Sequence, residues 1–382
     1  MRVNWKELMR RAQAGVLAAG TLWAAAVTAG SDTAAAAMAA LREAAPLGLL
    51  RWELGDLWAR DQLSPATVMT LGQSPLLSAA RPAVAELRRQ QENAEAQEGQ
   101  EEVETVPVEE TPLEAPEAAD NGVPARTLVP TDPSGYTVVG RAYISNTTEH
   151  VLSVPALQEN FAAELTPEEP QSLILHTHGS ESYTPAGDVD VVWSGNYRTT
   201  DSRYNVVAVG DAMAEVFAEA GISVLHDRTL YDYPSYNEAY DRSLAAIESY
   251  LAQYPSIRFI LDIHRDAIAD SDGNQYKVVS TVDGEETAAQ MTLVVGSDGS
   301  GLPHPDWMEN LKLSVALQQD ILTEYPTLMR PILLRDSRYN QHATTGSLLV
   351  EVGAAGNSPE EAALAGRLFA EHMVEVLEAR SK

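Results

Sequence analysis

Three short stretches of the chain set an acid/base or metal-capable side chain at the close of an apolar run: Leu173-Ile174-Leu175-His176-Thr177-His178-Gly179-Ser180-Glu181, Phe259-Ile260-Leu261-Asp262-Ile263-His264-Arg265-Asp266 and Leu348-Leu349-Val350-Glu351-Val352-Gly353. Two of these ends carry histidine and one carries glutamate, the residue types of a hydrolytic zinc site. Such a site takes three protein ligands and leaves one position open for a water whose pKa the ion lowers toward neutrality. His178 and His264 supply two ligands. The third is Glu181, in the same loop as His178, with Asp201 as a competing candidate and His176 as a weaker one. Glu351 stands apart as the acid/base group. A carboxyl at the end of an apolar strand is partly desolvated, which raises its pKa and suits it to take a proton from water and return it to a leaving amine. Each residue also has a bland alternative, because a lone strand-end Glu is most often a salt-bridge partner and a lone His is usually structural. The coincidence of three such ends in one domain weighs against that alternative.

Around these ends lie further polar groups. Arg265 and Asp266 directly follow His264 and are candidates to orient its ring or to bind a substrate carboxylate; the alternative is a surface ion pair of little energetic worth. Asn340 and Gln341, in Arg338-Tyr339-Asn340-Gln341, offer donors that could hold a peptide or polarise a carbonyl, and ordinary loop capping is the rival reading. Tyr231, Tyr233, Tyr236 and Tyr240 could floor a sugar-binding groove or simply pack a helix on the core. A His-Glu-x-x-His helix, the mark of one large class of metalloproteases, is absent.

The elements that must position these residues alternate between strand and helix. Short, nearly continuous apolar runs read as strands covered on both faces. The pattern predicts strands over 172–175, 222–225, 257–263, 332–334 and 347–352. It predicts helices over 205–219, 235–254, 306–324 and 359–379, the first stopped by Gly221 and the second by Pro255. Two further runs, 277–282 and 291–295, read as an antiparallel meander. The fold class is therefore α/β, a mostly parallel twisted sheet with helices on both faces. In such sheets ligands bind just beyond the carboxyl ends of the strands, where the three motifs lie.

Bulk composition narrows the chemistry further. The 382 residues carry 26 Lys+Arg against 55 Asp+Glu, a formal net charge of −29, which excludes a nucleic-acid partner of the ordinary basic kind. There is no cysteine, so neither a disulfide framework nor a thiolate metal site can form, and any zinc must be held by His and carboxylates, the ligand set of catalytic sites. Lys6, Arg10 and Arg11 precede an uncharged, Ala- and Gly-rich stretch, so residues 1–31 read as a cytoplasmic tip and signal-anchor, a single-pass membrane segment that places the rest outside the cytoplasm. Cleavage near Ala34–Ala37 is the alternative. Residues 32–89 read as a helical juxtamembrane region, 90–134 as an acidic Pro/Glu-rich linker too charged to order itself, and 135–382 as the catalytic domain.

The motifs taken together resemble a known family. His-Thr-His-Gly-Ser-Glu-Ser-Tyr (176–183), Arg-Thr-Thr-Asp followed by Asn-Val-Val (198–207), Asp-Ile-His-Arg-Asp-Ala (262–267), Arg-Tyr-Asn-Gln (338–341) and Glu-Val-Gly-Ala-Ala-Gly-Asn (351–357) are similar, in this order, to the stage II sporulation protein P family of zinc-dependent N-acetylmuramoyl-L-alanine amidases. The resemblance implies peptidoglycan hydrolysis at the muramoyl-L-alanine amide bond, with stem-peptide cross-links as a further target. It matches His178 and His264 to zinc ligands and Glu351 to the catalytic glutamate. It puts Asp201, ahead of Asn205, at the place of the family's middle ligand, in competition with Glu181. It further implies septal wall thinning and engulfment in a spore-former, with partners resembling stage II sporulation proteins D and M. From another class, the rival function is a non-catalytic wall-binding module that recruits a partner hydrolase.

Overall fold

A computed structural model describes residues 110–114 and 121–380, apart from 188, 190, 196, 270–274 and 285. The signal-anchor and the helical region expected over 1–89 lie outside the described residues. Among those that are described, no helix is long and apolar enough to cross a membrane. In chain order the elements are β1 (Glu110–Glu114), β2 (Ala125–Pro130), β3 (Thr137–Val139), β4 (Ala142–Asn146), α1 (Val154–Leu157), β5 (Ser172–Leu175), β6 (Trp193–Gly195), β7 (Arg198–Thr199), α2 (Val206–Glu219), β8 (Val224–His226), α3 (Ala239–Gln253), β9 (Phe259–Asp266), β10 (Lys277–Asp283), β11 (Glu286–Ala289), β12 (Met291–Gly296), α4 (Trp307–Glu324), β13 (Ile332–Arg335), β14 (Gly346–Ala354) and α5 (Pro359–Arg380).

Eight strands form the main sheet in the order β3-β4-β13-β12-β14-β9-β5-β8. The block β14-β9-β5-β8 is parallel throughout, as are the pairings of β4 with β13 and of β13 with β12, whereas β3–β4 and β12–β14 are antiparallel. Every residue of β5, β9 and β12 is buried. Side chains alternate between faces along a strand. Ile174 accordingly joins a core shared with α2, α4 and α5, while Leu173 and Leu175 join Ile247 of α3 on the other face. Helices thus cover both faces. Asn205 starts α2 because its Oδ1 accepts from Val207 N at 3.0 Å, and Gly221, at φ +77°, occupies the left-handed position just past the helix end. Gly366 of α5 lies so close to α2 that a Cβ there would stand 2.7 Å from Val209 Cγ1.

Three expectations need correction. The stretch 90–134 is not linker throughout: β2 pairs with β1, and Ala125 and Arg126 pair in parallel with Lys277 and Val278 of β10. Its adjacent Thr127 and Leu128 are both buried, and the acidic composition of the surrounding window hides this short strand. The second correction concerns the meander. β10 and β12 belong to different sheets, β10 pairing with β11 in the order β1-β2-β10-β11. Between them Gln290 crosses from one sheet to the other, its amide exchanging hydrogen bonds with the Leu128 backbone at 2.7 and 2.9 Å. Finally, β9 does not stop at Ile263. It runs on through His264, Arg265 and Asp266, all of which are buried because each is paired.

Candidate active site

The parallel block brings the carboxyl ends of β5, β9 and β14 to one edge. Residues two apart on a strand share a face, so Asp262 and His264 project from the same side of β9. Glu351 of β14 is the register partner of His264 and shares that side. Just beyond it the register shifts between Glu351 and Ala354, with Gly353 at φ +65°, a bulge of the kind that re-aims side chains at sites. After β5 the chain turns through Gly179, where a Cβ would lie 2.8 Å from Leu230 Cδ2 and 3.3 Å from Leu230 Cα, so the loop packs closely there.

This turn delivers His178 and Glu181 to His264. Among the described residues, His178, Glu181 and His264 are all buried and each offers a ligand atom within 4.8 Å of the others. His178 Nδ1 stands 3.7 Å from Glu181 Oε1, and His264 Nδ1 stands 3.5 Å from Glu181 Oε2. Behind the cluster, His264 Nε2 lies 3.0 Å from Asp262 Oδ1, while Thr177 holds both Asp262 oxygens through its amide at 2.8 Å and its hydroxyl at 2.6 Å. That arrangement directs one nitrogen of His264 to a carboxylate and leaves Nδ1 to face Glu181. Tyr236 stacks on His178 at 4.6 Å between ring centroids, and Tyr240 meets it edge-on at 5.4 Å.

The electrostatics are those of a pocket short of positive charge. Burial pushes His178 down to about 3 against the attraction of Glu181, so its ring is neutral and keeps a lone pair. Burial also opposes charge on Glu181, yet His264, Arg265 and His178 outweigh it and hold this carboxyl below the ordinary range. For His264 the balance is reversed: burial disfavours its charge, but Asp262 and Glu181 draw its pKa well above the usual value. The same two carboxylates that attract a proton attract a cation in its place. A tetrahedral ion with ligand bonds of about 2.0–2.2 Å separates its ligand atoms by roughly 3.3–3.6 Å, close to the spacing found here. The donor set, two imidazoles and a carboxylate with a carboxylate behind one ring, therefore fits a divalent transition ion. Glu351 is half-buried, pushed up to about 8 by burial, with Asp266 and Glu181 adding to the rise and His264 and Arg330 opposing it. Its buried Oε2 has no hydrogen-bond partner in the protein.

The remaining sequence candidates lie elsewhere or turn inward. Asp201 is outside the cluster, its carboxylate held by Arg203 at 2.6 Å. His176 is buried between His226 Nε2 at 2.8 Å and the Ile263 carbonyl at 3.2 Å. The four residues expected to touch substrate need correction, because the chain itself takes up their polar groups. Arg265 donates to the carbonyls of Ser182, Tyr197 and Asp266 at 3.2, 3.0 and 3.2 Å, and Asp266 pairs with Arg330 at 2.6 Å. Asn340 donates to Tyr240 O at 2.8 Å, while the Gln341 amide is bound to Gly296 N at 2.8 Å and Val294 O at 2.7 Å. Of the four tyrosines, Tyr236 and Tyr240 line the cluster, Tyr231 sits in the α3 core and Tyr233 is exposed. Sequence reasoning passed over Asp262, although its place two residues before His264 in a strand was signal enough. It also missed Asp232, which accepts from Ser180 N at 3.0 Å and pairs with Arg198 at 2.6 Å beside Glu181. No sequence spacing announces that contact.

Comparison with known proteins gives the family of the chain. Residues 66–374 match the family described as Stage II sporulation protein P. The stage II sporulation protein P of Bacillus subtilis (strain 168) is 29% identical over 203 residues, which covers 49% of this chain and 46% of that protein. The chain thus matches about half the length of its curated relative. Among solved structures, the CwlD amidase of Clostridioides difficile in complex with the GerS lipoprotein is 16% identical, covers 54% of this chain and 94% of its own, and has a TM-score of 0.32. The N-acetylmuramyl-L-alanine amidase Ami1 of Mycobacterium smegmatis is 13% identical, covers 57% and 100%, and has a TM-score of 0.33.

Proposed function

Because the chain belongs to the stage II sporulation protein P family, we propose that it is a zinc-dependent peptidoglycan hydrolase that cleaves the N-acetylmuramoyl-L-alanine amide bond and, as a second activity, stem-peptide cross-links. The observation that carries this reading is the buried His178–Glu181–His264 cluster with Glu351 in register beside it. Zinc held there supplies a Lewis acid for the scissile carbonyl and eases the ionisation of water. The chain's own residues do the rest. Asp262 Oδ1, 3.0 Å from His264 Nε2 though outside hydrogen-bond geometry, favours the proton on that nitrogen by its charge and so favours a lone pair at Nδ1, toward the cluster. Tyr236 and Tyr240 wall off His178 on two sides. Glu351 accepts a proton from the attacking water at Oε2 and delivers it to the leaving amine nitrogen, a role its half-buried, unpaired carboxyl suits.

The family also supports a role in septal wall thinning and engulfment during sporulation, with stage II sporulation proteins D and M as partners. The N-terminal segment then anchors the protein in the cell membrane as a single pass, with the catalytic domain outside the cytoplasm. Incubating purified full-length protein and zinc with sacculi, followed by mass spectrometry of the products, tests the enzymatic core of the reading. The expected products are stem peptides with a free L-alanine amino group, and Glu351→Gln should slow their release by about a thousandfold. If the wild type with zinc binds sacculi but releases nothing, the chain is a wall-binding module instead.

A further inference from the structure

Across from Glu181 stands a cation, Arg198. Residues 180–182 and 197–199 run side by side, Thr199 N donating to Ser180 O at 2.8 Å and Ser182 N to Tyr197 O at 3.1 Å, so Glu181 and Arg198 are opposite members of an antiparallel bridge. Opposite residues of such a pair project to one face with Cβ atoms about 4.5–5.5 Å apart, a spacing at which Arg and Glu ordinarily close into an ion pair of about 2.7–2.9 Å. This pair stops short. Arg198 Nη2 stands 3.8 Å from Glu181 Oε1, beyond hydrogen-bond reach, although the two side chains are only 25% and 9% exposed.

Asp232 draws the guanidinium away. Its side chain is fully buried and takes Arg198 Nη1 at 2.6 Å. The same carboxylate is pinned to the loop, accepting from Ser180 N at 3.0 Å and from Ser180 Oγ at 2.5 Å. Tyr236 adds a second hold: its ring centroid lies 4.6 Å from Arg198 Cζ, a cation–π distance, and its ring also stacks on His178. Two carboxylates thus compete for one guanidinium, and the outcome matters to the cluster. With Arg198 on Asp232, Glu181 keeps Oε1 turned to His178 and Oε2 to His264. With Arg198 on Glu181, a positive charge would sit against the carboxylate and occupy lone pairs that an ion needs.

We propose that Asp232 is a positioning residue that keeps Arg198 off Glu181, so that the carboxylate between His178 and His264 stays open to the ion. The inference rests on the zinc reading for the identity of that ion, and on the side-chain geometry for the restraint itself. Zinc affinity of the full-length protein, measured by chelator competition, tests it in a double-mutant cycle. Asp232→Asn releases Arg198 and should weaken binding about 10- to 100-fold, the worth of one charge-assisted hydrogen bond. Arg198→Met should change the affinity of the otherwise wild-type chain about threefold or less, yet bring the Asp232→Asn chain back to about the wild-type value. Asp232→Ser takes the place of Asp232→Asn if the latter does not fold. A mere loss of charge would have Arg198→Met tighten binding by the same factor in both backgrounds; that result overturns the proposal, as does a double variant as weak as Asp232→Asn. A crystal structure of the metal-free Asp232→Asn protein supplies an arm that needs no ion. Arg198 should close to about 3.0 Å from Glu181, and a separation kept above about 3.5 Å sinks the proposal whatever the affinities. If the wild type binds no zinc, the zinc reading falls and the crystal structure alone decides the restraint. If it binds zinc while Arg198 stays in place in the variant, the zinc reading stands and the restraint falls.

Discussion

Among the described residues, two places gather three metal-capable side chains within 4.8 Å, and they differ in everything else: His178–Glu181–His264 at the carboxyl edge of the parallel strands, and Asp320–His372–Glu375 across α4 and α5. In the first, all three residues are buried, and the Glu181 oxygens stand 3.7 Å from His178 Nδ1 and 3.5 Å from His264 Nδ1, too far to bond directly. In the second, His372 already bonds Asp320 at 2.7 Å, and the Asp320 and Glu375 side chains are 37% and 67% exposed. Water solvates those carboxylates, and the contact with His372 joins two helices. Having the right residue types close together is therefore not what makes a site. What makes one is burial that leaves the ligand atoms mutually unsatisfied, with a second layer, here Asp262 and Thr177, that keeps them aimed.

Metal content gives the sharpest way to break this comparison. Elemental analysis of the purified full-length protein should find about one zinc per chain, lost almost wholly in His178→Ala, His264→Ala and Glu181→Ala, as removal of one of three ligands implies. It should be retained in Asp201→Ala and His372→Ala. Retention in Glu181→Ala with loss in Asp201→Ala would reverse the ligand assignment. A smaller effect separates the ligands from the layer behind them. Asp262→Asn should keep the metal at saturation but weaken its affinity about 10- to 100-fold in chelator competition, whereas Asp320→Asn should leave affinity unchanged. The smallest effect is in stability. With the metal removed, Glu351, pushed up to about 8 from 4.5, keeps a proton in the folded chain that the unfolded chain has released, so stability should fall as pH rises between those values. Glu351→Gln should flatten that part of the melting profile, and a slope unchanged by the substitution would mean the carboxyl is not desolvated.

Much of this was legible from residue patterns. The strand at 172–175 matches β5, the helix at 205–219 begins one residue late because Asn205 is its cap, and the final helix runs one residue past its expected end. Apolar runs and capping residues encode such elements locally. The failures share a cause, which is that the compensating partner is distant in sequence. Arg265 and Asp266 look like the start of a loop until Ser182, Tyr197 and Arg330 are brought to them. Asn340 and Gln341 look available until α3 and β12 claim their amides. Within the candidate site, the nearness of Glu181 to His178 was legible because the two lie three residues apart. That Asp201 stays outside the cluster was not legible, since it follows from the pairing of Asp201 with Arg203 and from the approach of His264 to Glu181.

Arg265 carries a further consequence. Its amide donates to Glu181 Oε2 at 3.1 Å while its guanidinium grips the carbonyls of Ser182 and Tyr197, and Val206 at the head of α2 donates to the Glu181 carbonyl at 2.9 Å. One β9 residue thus clasps the loop that brings Glu181 into the cluster, immediately after another β9 residue, His264, that belongs to the same cluster. The loop cannot peel from the sheet without dismantling the cluster, so local opening and loss of an ion held there are a single event. Protection of the Ser182 and Val206 amides from hydrogen exchange should then rise and fall with occupancy of the cluster, and the loop would report from its backbone what the buried side chains hold.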